Sequence, residues 1–178
     1  DPRIAPTLTS GGTSIPYAVF DGRERVFSGP VDVNYAAATG TVWILNQYTQ
    51  NLAVFDYDGQ ELGTLRANAR LGDGARGVWV DPAGDRAWVD VGFDHAISEI
   101  VLDPEAPIVR DARRTVRRDV QTSRWSVRAQ RGRRLFHDAL EIHLTPSGVV
   151  ACATCHPGGG DDGLPWFLHT ERVTPRLR

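Results

Sequence analysis

Two stretches of this sequence repeat each other. Gly77-Val-Trp-Val-Asp-Pro-Ala-Gly-Asp-Arg-Ala-Trp-Val-Asp-Val matches the earlier Val31-Asp-Val-Asn-Tyr-Ala-Ala-Ala-Thr-Gly-Thr-Val-Trp-Ile-Leu, and Trp43 and Trp88 fall in equivalent places about 45 residues apart. Each copy is built of runs too short for helices. Val31–Tyr35, Val42–Leu45, Leu52–Tyr57 and Glu61–Leu65 are apolar or alternating, which is the period of a strand with one face in a core. Tyr57-Asp58-Gly59-Gln60 supplies a hairpin turn between the last two, and Leu52–Asp56 and Ile97–Asp103 close the two units. Residues 31–103 are therefore expected to be antiparallel β-structure, used twice.

A repeat of this length made only of short strands has the pattern of a β-propeller blade. The stretch Val80-Asp-Pro-Ala-Gly-Asp-Arg-Ala-Trp-Val resembles the strand–turn–strand of YVTN-type and NHL-type propeller repeats. The plainer alternative is an unrelated antiparallel sheet with two similar hairpins. A propeller closes with about four blades or more, whereas two can be counted here, with a fragment at Ile15–Phe27. The expectation is that the blades belong to a longer polypeptide or pack against another partner, because an open pair of blades exposes strand edges.

The chain has 178 residues, 41% of them hydrophobic and 24% charged, as in soluble globular proteins. No apolar run is long enough to cross a membrane as a helix, so no transmembrane segment is expected. The opening Asp-Pro-Arg has neither the basic nor the apolar region of a secretory signal, which is consistent with one already removed. All 20 basic residues are arginine, and about half fall between Arg110 and Arg134, opposed only by Asp111 and Asp119. Such a block suits an acidic partner or a solvated linker running into an amphipathic helix. The arginines are not interleaved with aromatic residues in a nucleic-acid motif, so a nucleic-acid partner is not expected.

Near the end stands Cys152-Ala-Thr-Cys155-His156, a Cys-x-x-Cys-His motif. Two thiols at this spacing reach the two vinyl groups of one porphyrin and form thioethers. The next residue, a histidine, then lies under the iron as its proximal ligand. Three other readings compete. A thioredoxin-like pair needs a βαβ unit around it, and a structural zinc needs a second Cys or His pair, whereas the chain has 2 cysteines in all. A disulfide between residues three apart is strained. Covalent haem c, one per chain, is the expectation. Cysteines used in this way leave none for a disulfide, and the attachment chemistry places the protein in the periplasm, outside the cell or on a membrane surface.

Three blocks occur in order around the motif: Arg131-Gly-Arg-Arg-Leu-Phe136, then Cys152-Ala-Thr-Cys-His-Pro-Gly-Gly-Gly-Asp-Asp-Gly-Leu-Pro-Trp166, then Arg172-Val-Thr-Pro-Arg-Leu-Arg178. This string resembles the haem domain of the bacterial dihaem cytochrome c peroxidase and MauG family, closest to members whose haem domain follows a propeller. The resemblance covers residues 126–178. It implies a helix beside the haem at Gly132–Phe136, a further haem domain or subunit, a redox partner protein, and a histidine before the Thr-Pro segment that ligates or faces the iron. His169 holds that place. The second haem motif usual in the family is absent from this chain.

The resulting expectation is a β + α two-domain fold, with partial propeller-like blades over 1–109, an Arg-rich linker over 110–125 and an all-α cytochrome c-like haem domain over 126–178. Cys152, Cys155, His156 and His169 are the cofactor-binding residues, with His156 and His169 as iron ligands. The chain has no methionine, so a His/Met iron cannot form from its own residues. His137 and His143 are the alternatives to His169, and His95 in a hairpin is expected at the surface. Trp166 is expected in a core or near the porphyrin, and Asp161 and Asp162 in a solvated turn. Three functions are open: an oxidoreductase of the peroxidase class, a bis-His electron carrier without catalysis, and a scaffold in which the blades dock a partner.

Overall fold

The computed structural model describes residues 8–10, 13–15, 27–102, 113–117, 125–141, 143–144, 148–160, 162, 164–168 and 170–173. A small hairpin joins β1 (Leu8–Ser10) to β2 (Thr13–Ile15). The first large sheet is an up-and-down run of four antiparallel strands: β3 (Pro30–Ala36), β4 (Thr41–Asn46), β5 (Asn51–Tyr57) and β6 (Leu62–Arg70). The second repeats it with β7 (Ala75–Val80), β8 (Arg86–Val91), β9 (Ala96–Val101) and β10 (Arg113–Arg117). Then come α1 (Val127–Phe136), the single turn α2 (Cys152–Cys155), a 3-10 turn at Pro157–Gly159, and a hairpin of β11 (Pro165–Leu168) and β12 (Thr170–Val173).

The repetition holds residue by residue over three strands. β3, β4 and β5 begin at Pro30, Thr41 and Asn51, and β7, β8 and β9 begin at Ala75, Arg86 and Ala96, a constant shift of 45 positions. The pairings carry over: Val33 lies opposite Ile44 and Val78 opposite Val89; Asn34 lies opposite Trp43 and Trp79 opposite Trp88. Trp43 and Trp88 are thus equivalent, whereas the partner of Val31 is Arg76 and not Gly77, one place off the match made by composition. The β3–β4 turn is shorter in polar residues than the β7–β8 turn, where the Asp81 carboxylate accepts from the backbone N–H groups of Gly84, Asp85 and Arg86. Such an Asx-type turn is what Asp-Pro-Ala-Gly encodes.

Period-two alternation puts one face of each sheet into a shared core. Trp43, Leu45, Leu52, Val54, Ala67 and Ala69 of the first sheet pack against Val78, Val80, Ala87, Val89, Val91 and Ile100 of the second. Two polar links tie the same interface: Asp32 Oδ2 accepts from Val78 N at 2.8 Å, and Gln47 Nε2 donates to Ala75 O at 3.0 Å.

Within the stretch 110–125, Arg113–Arg117 form β10, which pairs with β9 and completes the second sheet. The expected β + α arrangement ending in an all-α cytochrome c-like domain does not form. The described residues are mostly β-sheet with two short helices, and those within 126–178 form one ten-residue helix, one helical turn, a 3-10 turn and a hairpin. The physical reason lies in the segment itself. Pro146, Pro157 and Pro165 and the glycines at 148, 158–160 and 163 interrupt any helix. Helix α1 carries four arginines and buries none of its residues, so it has no apolar stripe on which other helices can pack.

Candidate haem-attachment site

Helix α1 starts where Ser126 Oγ accepts from Ala129 N at 3.2 Å, an N-cap. Its last turn carries Arg133 and Arg134, favourable against the helix dipole, and both are also anchors on the sheets. Arg134 reaches Asp73 and Asp94 at 3.0 Å each, and the Arg133 guanidinium lies 3.8 Å from the centroid of the Phe93 ring. His137 caps the helix. Its Nδ1 lies 2.9 Å from the Arg133 carbonyl oxygen, and its ring packs between Tyr48, Phe93 and Phe136 at centroid distances of 6.2, 5.2 and 5.3 Å.

Tyr48 and Phe93 are repeat partners, one in each sheet's second turn, and each is seated in the same way. Gly29 and Gly74, with φ of 65° and 70°, leave room that a Cβ would take from the Tyr48 and Phe93 rings. Ser28 N donates to Thr49 Oγ1 in one sheet and Asp73 N to Asp94 Oδ2 in the other. His137 therefore wedges across two copies of one socket.

The same end of the first sheet holds the cysteine motif. Tyr48 O accepts from Ala139 N at 2.9 Å, Tyr48 Oη donates to Ala153 O at 3.3 Å, and Ser28 Oγ donates to Val149 O. Burial of Tyr48 pushes its phenol above its ordinary value, which favours the protonated form that donates to Ala153 O. Ala151 and Ala153 are buried against the sheet while Cys152, Cys155 and His156 are half-buried. One helical turn places Cys152 and Cys155, three residues apart, on one side of α2. Thr154 Oγ1 accepts from Ala151 N at 3.1 Å and closes the start of the turn.

The loop after the motif wraps back onto it. Gly158 and Gly159 sit at φ of 63° and 83°, a conformation that favours glycine. The turn brings the Gly160 carbonyl to 2.8 Å from His156 Nδ1. Asp162 N donates to Cys155 O at 3.2 Å, and the Asp162 carboxylate accepts from Leu164 N at 3.0 Å. With Nδ1–H given to a carbonyl, Nε2 is the histidine nitrogen left to ligate, the arrangement typical of metal-bound imidazoles.

The residues of the motif are compatible with the expected covalent haem. Both thiols are free rather than joined. Burial first, then Asp162 and Cys152, pushes the Cys155 thiol above its ordinary value, the reverse of an activated redox cysteine. Among the described residues no three His, Cys, Asp or Glu side chains converge on one ion position, as a zinc site demands. A haem would instead be held through Cys152 and Cys155, with the His156 imidazole available to its iron.

His169 lies outside the described residues, as does Asp161, and of Trp166 only its place in β11 is described. His143 and His95 are exposed, His95 in the left-handed conformation at φ 51°, as Gln50 is at the same turn of the first sheet. Among the described residues no helix is long and apolar enough to cross a membrane. Sequence reading missed the Tyr48–Phe93 sockets, Ser28 and the role of Arg134. The constant repeat shift is the signal that finds the first two, since Gly29 and Gly74, Tyr48 and Phe93, and Gln50 and His95 all obey it.

No family model and no curated protein matches this chain. Among solved structures it is similar to a putative 6-phosphogluconolactonase from Bacteroides uniformis, at 17% identity and a TM-score of 0.39, over 44% of this chain and 24% of that one. It is also similar to hydrazine synthase from Kuenenia stuttgartiensis, at 15% identity and a TM-score of 0.30, over 58% of this chain and 40% of that one. The chain thus spans well under half of either protein, and likenesses this distant bear on neither fold nor function.

Proposed function

We propose that this chain attaches one haem c through thioether bonds to Cys152 and Cys155, with His156 Nε2 as an iron ligand, and serves electron transfer outside the cytoplasm. The observation that carries the reading is the Cys152-Ala-Thr-Cys155-His156 turn with His156 Nδ1 set on the Gly160 carbonyl. A haem held in this way cycles its iron between two oxidation states and so takes up and returns single electrons.

The chain's own residues supply position and environment. Cys152 and Cys155 would hold the porphyrin, the Gly158–Gly160 turn holds the His156 imidazole, and Tyr48 and Ser28 tie the motif to the first sheet. His169 is the proposed second ligand, by the place it holds before Thr174-Pro175. Membership of the peroxidase and MauG class, with a redox partner and a further haem domain, rests on the three ordered blocks of residues 126–178. Peroxide-linked oxidation belongs to that class reading.

The test is chemical. The chain, produced with a haem c attachment system, is extracted with acid–acetone and its alkaline pyridine spectrum recorded. Haem that stays with the protein, and is lost when both Cys152 and Cys155 are replaced by Ala, is the expected result. Haem that leaves with the solvent sinks the proposal.

A further inference from the structure

The repeat gives each sheet two distinct faces. In the interface that the chain forms with itself, the first sheet presents Trp43, Leu45, Leu52 and Val54, and the second presents Val78, Val80, Ala87, Val89 and Ile100. The same numbering shift carries each of these faces to an open counterpart. Val33, Tyr35, Val42 and Ile44 of the first sheet stand where the second has its receiving face, and strand register sets Val33 beside Ile44 and Tyr35 beside Val42. Val33 is 62% exposed and Tyr35 53%. Trp79 and Trp88 of the second sheet stand where the first has Asn34 and Trp43, with their rings 5.0 Å apart between centroids. Trp43 is fully buried because a sheet covers it, whereas Trp79 is 55% exposed.

The tryptophan face also differs from its counterpart in charge. Asp90 and Glu99 replace Leu45 and Val54, and each is paired, Asp90 with Arg76 at 3.0 Å and Glu99 with Arg86. The Arg86 guanidinium also lies over the Trp88 ring at 5.9 Å. An aromatic centre bordered by paired charge is the anatomy of an association surface, and Trp and Arg are the residues that dominate such surfaces.

We infer that these two open faces dock on each other between two copies of this chain, head to tail, with the Trp79–Trp88 face of one copy on the Val33–Tyr35 face of the next. Both halves of the interface are present on this one chain, and they are the repeat images of an interface the chain already makes. The contact is heterologous, so it closes when the rotation between copies brings the last open face onto the first. It also covers the exposed aliphatic strand face at Val33 and Tyr35.

Sedimentation equilibrium on this chain tests this with Val33→Glu and Trp79→Glu, both at positions more than half exposed, so the single chain keeps its fold. The wild type is expected at two copies or a higher multiple, and each variant alone at the mass of one. An equal mixture of the two variants associates again, because one keeps its tryptophan face and the other its aliphatic face. Trp79→Asn, which installs the residue found at Asn34, is the milder second variant and is expected to weaken association in the same direction. A wild type that stays at one copy overturns the inference. So does a Trp79→Glu chain that still associates, since the aliphatic faces would then pair with themselves, and so does a mixture that stays monomeric.

Discussion

Cys155 shows how one residue's surroundings limit its chemistry. Its thiol is raised mainly by burial, so the fold favours the protonated form and reduces thiolate near neutral pH. In the haem-free chain iodoacetamide should modify Cys155 more slowly than in the unfolded chain at pH 8. The difference is present below the folded thiol's pKa and fades as pH rises through it. Equal rates at pH 8 would contradict the placement. Ser98 offers a second test. It is buried at 1% exposure, and its Oγ finds no partner among the described residues. The repeat partner of Ser98 is Ala53, also fully buried. Ser98→Ala should therefore stabilise the chain by about 1 kcal/mol in urea unfolding, and a loss of that size would show that the hydroxyl has a role in the core. His156 was legible in sequence because attachment chemistry fixes its position next to the cysteines. Its Gly160 partner was not, because the carbonyl reaches it only through left-handed turns at Gly158 and Gly159.

At the scale of elements, the strands of both sheets were readable wherever apolar alternation was clean, as in Thr41–Asn46 and Arg86–Val91. The closing strands were harder. Arg113–Arg117 carries a single aliphatic residue, so it reads as linker, and it becomes a strand because β9 offers an unpaired edge. The all-α expectation for 126–178 failed for the opposite reason: a family resemblance outweighed local residues that break helices. The repeat sockets make a paired prediction. Gly29→Ala and Gly74→Ala each force a Cβ toward an aromatic ring at positive φ. Each should cost at least roughly 1–2 kcal/mol from the backbone conformation alone, and equal losses at the two sites in thermal unfolding would match the repeat. Trp43→Ala should cost about 3–5 kcal/mol, because its ring fills the space between the sheets.

For the whole molecule, the account is that two repeated sheets form a platform and the cysteine motif is tied to one end of it. The ties are Tyr48 to Ala153, Ser28 to Val149 and Arg134 to Asp73 and Asp94, with His137 wedged between the sheets. None of these ties was visible in the sequence, since they join residues from 40 to 121 positions apart. The motif itself was visible, because its five residues are contiguous and their spacing answers to the porphyrin. The most direct measurement is the intact mass of the denatured chain, purified from cells that attach haem c. The account predicts one haem retained per chain, with its Soret absorbance preserved in denaturant, and none when Cys152 and Cys155 are both Ala. A mass equal to the bare polypeptide in haem c-competent cells would contradict it.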